Sequence, residues 1–178
     1  MTGRTWEVMV RGSGMSAGVR VEIGGGGISA RVLSDAGGPR RVVRFSHSIT
    51  SLRYQTVYAA VDGSAAAPTA GLHFTSQLLA GLRAKGVNIV MVTLHVGMDT
   101  FGPVMAERVS DHPMHSEWCC LDETAAETIN TVKNGGGRVV AVGTTTVRVL
   151  ETAARSGYAE EVTPVCGYTD VFITPGYR

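Results

Sequence analysis

Gly86-Val87-Asn88-Ile89-Val90-Met91-Val92-Thr93-Leu94-His95-Val96-Gly97 is the stretch on which the fold reading turns. Residues 87–93 read as a continuous apolar strand, as a sheet covered on both faces requires. A helix precedes it: Thr75 can cap a segment carrying Leu78, Leu79 and Leu82, and Gly86 stands just past its end. A second helix follows, capped by Asp122, with Ala125, Ile129 and Val132 on one stripe and Asn134 with residues 135–137 ending it. Residues 138–142 then read as another buried strand. After Gly143 comes a third helix with Val147, Leu150 and Ala154 on one face and Gly157 at its end. Residues 171–173 read as a short final strand. Helix and strand alternate, so the expectation is an α/β fold, a mostly parallel sheet with packed helices.

Towards the N-terminus the rhythm differs. Trp6, Val8 and Val10 alternate with polar positions, as do Val19, Val21 and Ile23, and Ile28, Ala30 and Val32. Glycine turns separate them, notably residues 24–27 and Gly37-Gly38-Pro39. Short strands joined by glycine predict a small N-terminal antiparallel β-barrel-like segment or meander. The domain expectation is therefore residues 1–50 as a small β-rich unit and 51–178 as an α/β catalytic-type unit.

Bulk properties bound the function. With 178 residues and 44% hydrophobic content, the chain can bury one proper core, or one core plus a small appendage. Sixteen Lys and Arg face 15 Asp and Glu, a formal net charge of +1. That excludes a strongly basic nucleic-acid binder, so any RNA contact must come from a local patch. Arg40, Arg41, Arg44 and Arg53 form the best local cluster, a solvated strand face being the alternative. Three cysteines without a C-x-x-C point to a reducing, cytoplasmic compartment and against a disulfide framework or zinc knuckle. Arg4 is followed by no long apolar stretch, so no signal peptide is read, and no run approaches membrane-spanning length.

The chemistry-bearing segments cluster around the expected strand ends. In Ala67-Pro68-Thr69-Ala70-Gly71-Leu72-His73-Phe74-Thr75, Pro and Gly fix an irregular loop that ends at a helix N-terminus, where free N–H groups favour a polar or anionic ligand. An ordinary turn is the alternative. Thr93, His95 and Gly97 share one strand face at a carboxyl edge, where ligands of open sheets collect. His112-Pro113-Met114-His115-Ser116-Glu117 places histidines three apart beside a carboxylate. Pro113 disfavours the helical turn a metal site would use there, so the segment reads as a polar, substrate-facing loop. In Val142-Gly143-Thr144-Thr145-Thr146-Val147-Arg148 a strand runs into a glycine and hydroxyl residues that open a helix and can cradle a carboxylate, a phosphate or ribose hydroxyls, an ordinary capped helix start being the alternative. It lacks the glycines and lysine of a Walker A loop. Asp170, ahead of an apolar stretch, can bind ribose hydroxyls or cap a turn.

The wording of several segments, in order, resembles the S-adenosylmethionine:tRNA ribosyltransferase-isomerases of queuosine biosynthesis. They are Tyr54-Gln55-Thr56-Val57-Tyr58-Ala59 and residues 63–75, 92–97, 114–117, 141–151 and 169–177. Residues 4–46 resemble, more weakly, that family's β-rich insertion. The resemblance implies transfer and isomerisation of the ribosyl part of S-adenosylmethionine onto 7-aminomethyl-7-deazaguanine in the wobble position of tRNA, giving epoxyqueuosine. S-adenosylmethionine is then the ribosyl-donor substrate, tRNA the partner, and neither a metal nor a membrane is implied.

Such a reaction needs a base to take a proton beside the sulfonium and a cleft that holds ribose hydroxyls and a carboxylate. His73 and His95 are assigned proton transfer, with Glu117 behind them. Thr69, Gly71, Thr93, Gly97, Thr144, Thr145 and Asp170 are assigned substrate contacts, and Arg148 an anion. The chain departs from the family pattern at Asp99, where glycine is usual, and near residues 46–53, which look shortened. Family chains run to roughly twice this length. A partial fold predicts exposed strand and apolar surface, hence self-association or a complementing chain. A non-catalytic relative that binds S-adenosylmethionine, nucleotide or tRNA is the alternative, and a small histidine-using hydrolase the third reading.

Overall fold

The structure is a computed structural model that describes residues 3–10, 13–23, 28–47, 55–101, 105–155 and 161–177. The 24–27 turn, Arg53, Tyr54 and Gly157 of the sequence reading lie outside the described residues. The chain divides into two compact units, Met1–Arg53 and Tyr54–Arg178.

The first unit is a four-stranded antiparallel sheet. Its strands are β1 (Thr5–Met9), β2 (Arg20–Ile23), β3 (Ile28–Asp35) and β4 (Arg40–Phe45), in the order β1-β4-β3-β2. Ala30, Val32 and Val43 are buried on one face, with Val8, Val19 and Phe45 packed around them. This is the alternation the sequence carries. The β3–β4 hairpin turns on Gly37 and Gly38, both at positive φ, where a side chain would be strained. Asp35 Oδ1 accepts the Gly37 N–H at 2.7 Å and steadies that turn. The register slips by one residue between Val32 and Ser34, leaving Leu33 as a bulge. The barrel expectation is corrected here: among the described residues β1 and β2 each have one neighbour, and the sheet stays open. Alternation reports which face is buried; it does not report whether two edges meet.

The second unit corrects the larger expectation. Its sheet is three-stranded and antiparallel, in the order β5-β6-β7: β5 is Thr93–Leu94, β6 Glu117–Leu121 and β7 Val165–Thr169. No parallel ladder occurs among the described residues. Of the apolar run 87–94 only Thr93–Leu94 is in a ladder, and residues 138–142 and 171–173 are in none. Val87, Val90, Met91, Val139, Val140 and Val142 are exposed, Val140 at 67%. An apolar run states a demand for burial, but the partner strand that meets it is non-local. Strands β6 and β7 were hidden by their composition. Glu117 and two cysteines broke the apolar signal in β6, and Cys166 and Gly167 did so in β7.

The helices follow the sequence reading closely because their signals are local. In α1 (Ser76–Ala84) Thr75 Oγ1 accepts the Leu78 N–H at 3.1 Å. In α2 (Glu123–Asn134) Asp122 Oδ1 accepts the Ala125 N–H at 2.8 Å. The third, α3, is Thr144–Arg155 and packs on all three strands of its sheet. Leu94, Cys119 and Leu121 from the sheet, Ala125, Ala126 and Ile129 from α2, and Val149 and Ala153 from α3 form the core. Asn130 pins residue 162 from both sides, donating to its carbonyl at 2.8 Å and accepting its N–H at 3.0 Å.

The cysteine reading is corrected in one respect. Cys119 and Cys120 do not bridge each other, but Cys120 stands opposite Cys166 in the β6–β7 ladder, with Cα atoms 4.1 Å apart and the sulfurs joined. The partner lies 46 residues away in sequence, beyond the reach of any spacing rule. Cys119 points to the other face and is fully buried; burial pushes its thiol pKa up, with the charge of Arg148 partly offsetting the rise.

The α2 cap supplies a stability test. Asp122→Ala is expected to cost about 1 kcal/mol in urea unfolding, and Asp122→Asn much less, because asparagine still offers an oxygen to the Ala125 N–H.

Candidate functional site

Strand pleating places Glu117 on the inward face of β6, in one row with Cys119 and Leu121. Its side chain is 2% exposed. A buried carboxylate requires donors, and four elements supply them. The Gly97 N–H donates to Oε1 at 2.9 Å and the Thr100 hydroxyl donates to the same oxygen at 3.0 Å. His115 Nε2 stands 3.1 Å from Oε1. Arg148, one turn into α3, holds Oε2 through Nη1.

Arg148 is itself engaged through all three of its nitrogens. Its Nε donates to the carbonyl of Val171 at 3.1 Å, and Nη2 to the carbonyls of His115 at 3.2 Å and Thr169 at 3.3 Å. The anion it meets is thus the chain's own Glu117. Around this pair opens a cleft of about 940 Å³. Ala66, Ala67, Pro68, Thr69 and Ala70 form one wall, Gly143, Thr144 and Thr145 at the start of α3 another, and His112, Pro113, Met114, His115 and Glu117 a third. The N-terminus of α3 gives that second wall N–H groups not used within the helix, which favour an anionic or polar group.

The histidine at 115 has a defined tautomer. Thr100 Oγ1 gives its proton to Glu117 and lies 3.2 Å from His115 Nε2, so it accepts there. Nε2 therefore carries the ring proton in the neutral form, and the lone pair sits on Nδ1.

The residues singled out from the sequence fall into several places. Thr69, Thr144, Thr145, Glu117 and Arg148 line the cleft. Gly97 stands behind it, donating to Glu117. His95 and Thr93 line a second, smaller cavity of about 150 Å³, which Thr145 also borders. The His95 ring stacks on Trp118 with centroids 5.0 Å apart and planes at 26°. Residue 63 must be glycine for this stack: it sits at φ +140°, and a Cβ there would lie 2.8 Å from the imidazole. Gly71 is buried against Thr56 and Tyr58, and a Cβ would overlap the Tyr58 hydroxyl. Burial pushes the Tyr58 pKa up. His73 is exposed at the end of a 3-10 turn (Thr69–His73) and lines neither cavity, and Asp170 is likewise exposed and outside both. Asp99 lies in the turn Met98–Phe101.

Sequence reasoning gave His115 and Thr100 no individual role, although both hold Glu117. The signal available was the spacing of His115 and Glu117, two apart and hence on one face of a strand end. Among the described residues, no three His, Cys, Asp or Glu side chains converge as a metal-ligand group. His112, the other histidine of that segment, packs on Phe172. No helix among the described residues is long and apolar enough to cross a membrane.

A protein-family model described as "Queuosine biosynthesis protein" matches residues 2–178. Among solved structures, the chain is similar to an S-adenosylmethionine tRNA ribosyltransferase from Thermotoga maritima, at 30% identity and a TM-score of 0.45. That match covers 100% of this chain and 52% of the other, so the chain spans about half the length of the protein it matches.

The buried ion pair can be tested directly. Removing one partner strands the other charge, so Arg148→Met is expected to destabilise by about 3–5 kcal/mol. The double variant Glu117→Gln/Arg148→Met is expected to lose less than the sum of the single losses. Additive losses in a denaturant double-mutant cycle would mean that the two side chains do not act as a pair.

Proposed function

Because the chain belongs to the queuosine biosynthesis protein family, we propose that it transfers and isomerises the ribosyl moiety of S-adenosylmethionine onto 7-aminomethyl-7-deazaguanine in tRNA, giving epoxyqueuosine. The family match across residues 2–178 is the observation that carries this reading. In it, S-adenosylmethionine is a substrate that loses adenine and methionine, tRNA bearing the modified wobble base is the partner, and the compartment is cytoplasmic.

The cleft around Glu117 supports the reading chemically. The sulfonium acidifies the carbon beside it, and a base within reach must take that proton. In our proposal His115 Nδ1 does so, while Glu117 and Thr100 hold the ring from behind and keep the proton on Nε2. Arg148 keeps Glu117 in place and is a positioning residue. Thr144, Thr145 and the N–H groups at the start of α3 would receive the methionine carboxylate or the ribose hydroxyls, with Thr69 on the facing wall. His95, clamped between Gly63 and Trp118, is the second proton-transfer residue of the proposal, because Thr145 borders both its cavity and the main cleft. His73, exposed and off both cavities, has the least geometric support, and so does Asp170.

The exposed valines of residues 87–92 and 138–142, with Met91, support a further part of the reading: contact with another chain, a second copy or a complementing polypeptide.

Single-turnover adenine release on precursor tRNA tests the function. His115→Ala and Glu117→Gln are each expected to slow it about 100-fold or more, His95→Ala by less, and His73→Ala hardly at all. A native rate in His115→Ala would remove it from proton transfer, one in Glu117→Gln would remove that carboxylate from orienting it, and no release by the native chain would sink the functional reading itself. Light scattering tests the contact: the mass is expected to exceed the 18.7 kDa of one chain as concentration rises. A monodisperse monomer throughout would overturn self-association.

A further inference from the structure

We propose that the outer face of the N-terminal sheet is a binding site for the phosphate backbone of RNA, built on Arg20, Arg31 and Arg44. The proposal rests on the reading of tRNA as substrate and says where its backbone is held.

The register makes the site. Arg20 is paired with Arg31 across β2 and β3, and Arg31 with Arg44 across β3 and β4. Neighbouring strands lie about 4.8 Å apart, so the three arginines are rooted in a line roughly 10 Å long across the sheet. All of these side chains are exposed, on the face opposite the Ala30–Val32–Val43 core. Like charges directly opposite one another on adjacent strands repel and weaken a sheet. A chain that keeps such a row ordinarily neutralises it with carboxylates, and this one does so elsewhere on the same sheet. Arg40 pairs with Glu7 at 3.2 Å, and Arg41 with Asp35 at 3.3 Å. Among the described residues, none of Arg20, Arg31 and Arg44 has an ion-pair partner. Arg20 Nε instead donates to Ser29 Oγ at 3.0 Å, a contact that does not use its terminal nitrogens.

A line of unneutralised guanidinium groups on a rigid sheet fits a polyanion whose charges also run in a line. Guanidinium binds phosphate through paired, parallel N–H donors. A lipid surface fits less well, because it calls for large apolar groups beside the cations. Here the half-exposed Trp6 registers with Val43 and so belongs to the other face, while Thr5, opposite Arg44, adds a hydroxyl to the row. With a net charge of only +1 the whole chain exerts little general attraction, so the row must act locally.

The test uses the full 178-residue chain, unmodified tRNA transcript and fluorescence anisotropy across a salt series. The variant Arg20→Gln/Arg31→Gln/Arg44→Gln is expected to bind about 10-fold or more weakly, with a log K against log salt slope shallower by roughly 2–3. The corresponding lysine variant is expected to recover most of the slope, and Arg40→Gln to leave it as in the native chain. Thermal unfolding checks the fold of each variant, and the glutamine variant should melt no lower than the native chain once the repulsion is gone. Unchanged affinity and slope in the glutamine variant would overturn the proposal. So would native binding to phosphatidylserine vesicles with none to tRNA. Adenine release separates the two readings: the glutamine variant should raise KM for tRNA and leave kcat alone. Row-dependent tRNA binding by a native chain that releases no adenine would defeat the functional reading and uphold this one.

Discussion

A carboxylate taken almost wholly out of water is the constraint around which the second unit is arranged. Glu117 sits in the inward row of β6 with Cys119 and Leu121, so its position is fixed by the same pleat that builds the core. Each of its donors comes from a different element: the backbone after β5, the turn at Thr100, the strand entry at His115 and the first turns of α3. Three of them share Oε1, whereas Oε2 relies on Arg148, whose loss would leave a buried oxygen unpaired at a cost greater than the hydrogen bond itself contributes. The carboxylate thereby couples the placement of α3 on the sheet to the shape of the cleft. Arg148 extends the coupling further, since its Nε and Nη2 donate to the carbonyls of three residues in two segments.

The histidines show how such an arrangement divides labour. His115 is oriented by hydrogen bonds to one nitrogen, whereas His95 is oriented by shape, its ring filling the gap between Trp118 and Gly63. Hydrogen bonds to one ring nitrogen select a tautomer; stacking fixes the plane of the ring and selects none.

What could be read from the sequence divides along the same line as local and non-local physics. The caps Thr75 and Asp122 and the three helices were legible because a cap and its N–H lie within one turn. The apolar face of the N-terminal sheet was legible because alternation is a property of one strand. The parallel sheet was wrongly inferred because ladder direction depends on segments far apart in the chain. β6 escaped notice although it organises the site, since a glutamate and adjacent cysteines do not look like a core strand. The Cys120–Cys166 pair is not legible because its partners lie 46 residues apart in sequence. The site residues were legible as a set of polar segments at strand and helix ends, and five of them do line one cleft: Thr69, Glu117, Thr144, Thr145 and Arg148. Their partners in charge and hydrogen bonding were not legible: the sequence offered Arg148 as a receptor for an external anion, and the fold spends it on Glu117.

The one-residue slip at Leu33 changes which residues face each other near the turn of the β3–β4 hairpin. Away from the turn Arg31 stands opposite Arg44; on the turn side of the bulge Ser34 stands opposite Val42 and Asp35 opposite Arg41. A ladder continued without the slip would set Asp35 against Arg40 instead. The extra residue thus puts a carboxylate across from Arg41, its ion-pair partner at 3.3 Å.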